Sequence, residues 1–100
     1  MNVMSAEIHL EKADSLFRDK DYLAAAEEMA MAAGEAPERS EIWTAWGNML
    51  FQSGKIEECV EKFQKATDLE PENAGHWVLL ALSHYKNDNT DAFESALSSA

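Results

Sequence analysis

The chain has 100 residues, 46% of them hydrophobic and 27% charged, with eight Lys and Arg against 19 Asp and Glu and a formal net charge of −11. This is the size of one domain and an ordinary globular mixture, which excludes a disordered chain. The acidity argues against nucleic acid and anionic membrane surfaces, both of which are met with clustered Lys and Arg, and leaves a basic or neutral protein as the partner class.

Cys59 is the single cysteine, so no intramolecular disulfide is available and no oxidising compartment is needed. No apolar run has the length of a membrane span, and Met1 to Glu7 lacks the basic and apolar blocks of a secretory signal. The expected setting is cytoplasmic.

Along the chain, apolar residues recur at steps of three and four, the helical period. Ile8, Leu16 and Phe17 mark a first helix, and Tyr22, Ala25, Met29 and Ala32 mark its partner. Pro37 follows. Ser40 is the expected N-cap of a third helix carrying Ile42, Trp43, Trp46, Gly47, Leu50 and Phe51, with Glu41 in its first turn and Gly54 as a left-handed C-cap. Ile56, Cys59, Val60, Phe63 and Ala66 form the apolar stripe of a fourth, with Glu57, Glu58, Glu61, Lys62 and Lys65 opposite and Pro71 at its end. A strongly apolar fifth helix runs from Trp77 to Tyr85, a turn is expected at Asn87-Asp88-Asn89, and Thr90 is positioned to cap a short closing helix from Asp91. No segment shows strand alternation, so the class is all-α.

Pro37 and Pro71 lie 34 residues apart, and that lag holds elsewhere. His9, Trp43 and Trp77 share a register, as do Ala13, Gly47 and Ala81; Phe17, Phe51 and Tyr85; Met29, Phe63 and Leu97; and Ala32, Ala66 and Ala100. The third copy leaves one register open, since either Phe93 or, with a one-residue deletion, Ala92 takes a small residue's place. The pattern Trp43-x-x-Trp46-Gly47-x-x-Leu50, then Cys59-x-x-x-Phe63, Ala66 and Pro71, resembles the tetratricopeptide repeat. The first copy is looser, with Lys12 where an apolar residue is usual. The resemblance implies a right-handed superhelical array of antiparallel helix pairs, with repeats at 6–39, 40–73 and 74–100 in a single domain.

It also implies a function. In such arrays the first helix of each pair lines a concave groove that holds a partner's peptide or amphipathic helix. Carried across residue by residue, the groove positions are Leu10, Asp14, Phe17 and Arg18; Thr44, Asn48, Phe51 and Gln52; and Val78, Leu82, Tyr85 and Lys86. Phe17, Phe51 and Tyr85 are either a ladder of exposed aromatics along the groove or partly core. The family's clamp for a chaperone's C-terminal carboxylate needs Lys, Arg and Asn. The matching places here hold Leu10, Asp14, Ala45, Gly75 and Leu79, so that reading fails. An adaptor, assembly or chaperone-like role for a protein or peptide partner is what remains.

Catalysis is not expected, nor any cofactor or metal. His9, His76 and His84 show no pair at a spacing of three or four, and Glu27-Glu28 and Glu57-Glu58 read as solvated faces of second helices. Gly34, Gly47, Gly54 and Gly75 are scattered and form no phosphate loop. Cys59, among glutamates, reads as a packed small residue. The run Trp77-Val78-Leu79-Leu80-Ala81-Leu82 gives the alternative, a structural or oligomerisation module that self-associates through residues 77–86. Most of the acidic surplus falls in the first two repeats, on their second helices, with Glu7, Asp14 and Glu41 near the groove.

Overall fold

The structure is a computed structural model that describes residues 3–87 and 90–99, with side chains described for 5–87 and 95–99. Six helices follow one another: α1 (Val3–Arg18), α2 (Tyr22–Glu35), α3 (Ser40–Gln52), α4 (Ile56–Leu69), α5 (Ala74–Lys86) and α6 (Thr90–Ser99). The 34-residue period is written into their bounds. First helices end at residues 18, 52 and 86, and second helices begin at 22, 56 and 90. No strand occurs among the described residues.

Each helix packs chiefly on its neighbours in sequence, α1 on α2, α2 on α3 and onward to α6, with a further contact between α3 and α5. The result is a slab of 39 × 27 × 16 Å with an elongated core and no central knot of side chains. Small residues thread that core. Ala6, Ala13, Ala25, Ala32, Cys59, Ala66 and Ala81 are fully buried, and Met29, Ile42, Met49, Leu50, Phe63 and Leu80 fill the space around them.

The turns repeat as well. Gly54 has φ of +85°, and Lys55 N–H donates to Leu50 O while Gly54 N–H donates to Phe51 O, the paired bonds of a Schellman cap. One period earlier Lys20 takes the same role at φ of +64°, with Asp21 N–H on Leu16 O and Lys20 N–H on Phe17 O. Pro37 and Pro71 have a job beyond ending helices: Trp43 Nε1–H donates to Pro37 O at 2.8 Å, and Trp77 Nε1–H to Pro71 O at 2.7 Å. These bonds strap each loop onto the helix that follows it.

Three expectations are corrected. Ser40 is not a cap: α3 begins on it, Arg39 holds the cap position, and the Ser40 hydroxyl turns inward. The side-chain cap falls instead on Asn73, whose Oδ1 accepts from Gly75 N–H at 3.0 Å. Glu28 is not on a solvated face; it is half-buried with its Oε1 3.1 Å from His9 Nδ1. And α6 begins at Thr90 itself rather than after it. The turn residues Asp88 and Asn89, the Thr90 side chain, and the choice between Ala92 and Phe93 lie outside the described residues, as does Ala100.

Candidate functional site: two clefts on the first helices

Two clefts open along the first helices. The first, of about 360 Å³, lies between α1 and α3. Its floor is Leu10, Met29, Ile42 and Ala45, and its rim carries Glu7, Glu11, Asp14 and Glu41. The second, of about 180 Å³, lies between α3 and α5, lined by Asn48, Phe51, Gln52, Phe63, Leu79 and Leu82, with no charged side chain. Met29 and Phe63 share a register, so the two clefts are successive inter-repeat seams of one array.

The expected groove residues therefore divide. Leu10 and Asp14 line the first cleft; Asn48, Phe51, Gln52 and Leu82 line the second. Val78, Leu82 and Tyr85 are exposed, Tyr85 to 64%. Phe17 and Phe51 are partly buried and packed against the core, and the Phe17 ring tilts onto Tyr22 of α2 at 5.3 Å. Of the three aromatics, then, two serve the core as well as the surface. Thr44 returns its hydroxyl to Glu41 O at 3.0 Å, and Arg18 reaches Asp14 at 3.5 Å with both side chains about 70% exposed.

The electrostatics of the first cleft rest on a residue that the sequence did not single out. Arg39 donates from Nη1 to Glu7 at 2.7 Å and from Nε to Glu41 at 3.0 Å, and the two carboxylates, Glu7 foremost, hold the guanidinium further into its charged form. Two of the four rim carboxylates are thus engaged within the chain, and the same ties fasten α1 to the start of α3. Glu11 makes no ion pair among the described residues, and Asp14 has only its exposed contact with Arg18. Glu11 was missed because nothing in its register is unusual; its place on the rim depends on how α3 lies across α1.

Elsewhere, a Ser, a Glu and a His meet at the seam between the second and third repeats. Ser40 Oγ donates to Glu70 Oε1 at 2.6 Å, and His76 Nε2 lies 2.9 Å from the same oxygen and 3.3 Å from Ser40 Oγ. The arrangement runs opposite to that of an activated serine. The serine proton points at the carboxylate, and one imidazole nitrogen faces both partners, so no second nitrogen is tied to an acid. Ser40 foremost, then His76 and Asn73, lower the pKa of Glu70 below the usual carboxylate range. At the preceding seam the same three register positions hold Ala6, Ala36 and Ile42, all buried. The trio is a polar version of an apolar joint.

No group of three or more His, Cys, Asp or Glu is gathered to hold a metal among the described residues. Cys59 is fully buried, and burial pushes its thiol up to about 12. Lys62 lies over the Trp46 ring at 4.1 Å, and Trp46 stacks on Trp43 at 5.3 Å, so these indoles serve the packing of α3 on α4. No helix among the described residues is long and apolar enough to cross a membrane.

Helix pairs repeating every 34 residues, with an indole strapped to each inter-repeat proline, define a helical-repeat scaffold. The family's signature follows: the model of the TPR repeat matches residues 47–88, and the six-helix fold is that of a tetratricopeptide-repeat array. Among curated proteins none matches the sequence. Solved structures of similar fold include MamA from residue 41 to its end, of Desulfovibrio magneticus RS-1. It has a TM-score of 0.83 at 21% identity, over 90% of this chain and 51% of that one. A chain of the CopN–Scc3 complex reaches 0.88 at 16% identity, over 94% and 55%. The TPR2B domain of yeast Sti1 in its pHsp70 complex reaches 0.87 at 17%, over 96% and 77%. The chain spans about half the length of the MamA structure, and these likenesses describe its fold.

Proposed function

We propose that the chain is a protein-interaction module, a single array of repeats 6–39, 40–73 and 74–100 whose first helices seat a peptide or amphipathic helix of a partner. The family and the fold support an interaction module in general. The observation that carries the finer reading is the row of two clefts on α1, α3 and α5, with apolar floors and exposed Val78, Leu82 and Tyr85 beyond them. An adaptor, assembly or chaperone-like role is the one such a groove serves. It is not a carboxylate clamp, because Leu10, Asp14 and Ala45 put apolar and acidic groups where a carboxylate needs cations. A cytoplasmic setting belongs to the same reading, resting on a single, buried, free cysteine.

A double substitution, Phe51→Ala with Tyr85→Ala, tests it. Partner-peptide binding followed by amide chemical shifts should be lost while the helical circular dichroism is kept. Retained binding would refute the groove. The second reading, self-association through residues 77–86, is favoured by a different observation: Val78, Leu82 and Tyr85 on α5 and Leu97 on α6 are all large, apolar and exposed.

A further inference from the structure

The two clefts differ in charge, and that difference bears on how a ligand would lie. We infer that the groove takes its partner with a fixed polarity: a Lys- or Arg-bearing end against Glu11 and Asp14 at the first cleft, and an apolar end in the Phe51–Leu79–Leu82 cleft. This rests on the groove reading above and goes further by assigning the ligand's chemistry end by end.

Four observations carry it. Around the first cleft stand four carboxylates: Arg39 engages Glu7 and Glu41, Asp14 keeps only a 3.5 Å contact with Arg18 in which both side chains are about 70% exposed, and Glu11, one turn away on α1, makes no ion pair among the described residues. The floor between them is apolar, so the aliphatic stem of a lysine or arginine lies on Leu10, Met29 and Ala45 while its head reaches the rim. The second cleft offers Asn48 and Gln52 but no charge, and its walls are phenylalanine and leucine. Past it, Lys86 is exposed at the end of α5 and repels a basic end placed there. A ligand lying the other way would put its cation beside Lys86 and leave Glu11 and Asp14 facing apolar side chains. The exposed acids of the second helices, Glu27, Glu57, Glu58 and Glu61, stand apart from both clefts' linings and do not select between orientations.

The test uses the whole chain and a designed helical peptide of about four turns, lysines in its first turn and leucine and phenylalanine in its last two, with a nitroxide at either end. The label on the lysine end should broaden the amides of residues 10–14 and 41–45, and the label on the apolar end those of 79–82. Raising NaCl from about 50 to about 300 mM should weaken binding about fivefold, and Glu11→Gln with Asp14→Asn should reduce that salt effect to about twofold or less. Broadening of both clefts by either label overturns the polarity and leaves the groove standing. Peptide-induced shifts confined to α2 and α4 overturn the groove and the polarity together. Shifts at 10–14 and 41–45 that grow with protein concentration alone would give the first cleft to a second copy, and overturn the assignment.

Discussion

A Cβ built on Gly47 of α3 would stand 2.6 Å from Cε1 and 2.7 Å from Cδ1 of Phe63 on α4. Glycine in a helix interior costs about 1 kcal/mol against alanine, so the helix alone would favour a substitution here. The ring opposes it, because Phe63 is buried on α4, which packs against both α3 and α5. Gly47→Ala should therefore lower stability by about 1–2 kcal/mol in urea unfolding, the overpacking term exceeding the propensity gain. The first repeat suggests the rescue. At the corresponding positions it holds Ala13 and Met29, so Phe63→Met should recover most of the loss in the Gly47→Ala background. Additive effects in the double-mutant cycle would show that the two residues do not confront one another.

Lys20 makes a second local test, of opposite sign. It sits at φ of +64° in the cap that Gly54 occupies one repeat later. A left-handed conformation costs a non-glycine residue about 1 kcal/mol. Lys20→Gly should raise stability by about 0.5–1 kcal/mol, whereas Gly54→Ala should lower it by a similar amount. No change at either site would mean that both caps are held by their hydrogen bonds and not by backbone preference.

How far the sequence could be read follows from which interactions are periodic. The lag of 34 residues gave the helix count, the pairing and the small-residue core, because Ala13, Gly47 and Ala81 must all meet a partner helix closely. It did not reveal Arg39, whose bonds to Glu7 and Glu41 span 32 residues and two in sequence and recur in no other repeat. Nor did it reveal the meeting of Ser40, Glu70 and His76. A serine before a helix is the usual sign of a cap, and Asn73 took that role at the next repeat instead. The groove positions were legible as positions. Their charge was not, since Glu11 becomes part of a cleft only when α3 is laid beside it.

Acid should loosen the joint between the second and third repeats. The Glu70 pKa is lowered by Ser40 foremost and by His76 and Asn73. A carboxylate lowered on folding contributes stability that is full above its unfolded value, about 4.3, and lost as pH falls through the folded one. Burial also lowers the pKa of His84, whose Nδ1 is buried without a hydrogen-bond partner among the described residues. The unfolded chain therefore takes up that proton first as pH falls below about 6.5, again reducing stability. Two acid steps are expected in the pH profile of the urea midpoint. His84→Phe should flatten the first and Glu70→Gln the second. A profile unchanged by either substitution would contradict the assignment.

Cys59 should be inert while the chain is folded. Its thiol is buried and pushed up to about 12, so thiolate is scarce at neutral pH and the sulfur is out of reach. Labelling by a water-soluble disulfide reagent should proceed at the rate of opening of the third and fourth helices, and become fast in urea. Rapid labelling of the native chain would show that α3 and α4 separate far more often than their packing implies.

Leu97 separates the two readings of the exposed third repeat. In register with buried Met29 and Phe63, it is 45% exposed, whereas those two lie at seams between repeats: Met29 lines a cleft with Ile42 and Ala45, and Phe63 one with Leu79 and Leu82. Leu97 lines neither cleft. Leu97→Glu should therefore leave peptide binding in the groove unchanged. Val78, Leu82 and Tyr85 are likewise large, apolar and exposed, and only two of the eleven net negative charges fall in residues 74–100. Equilibrium sedimentation of the 100-residue chain should show a weight that rises with concentration, and Leu97→Glu should abolish the rise. A weight fixed at one chain throughout would end the self-association reading and leave the groove as the array's working surface.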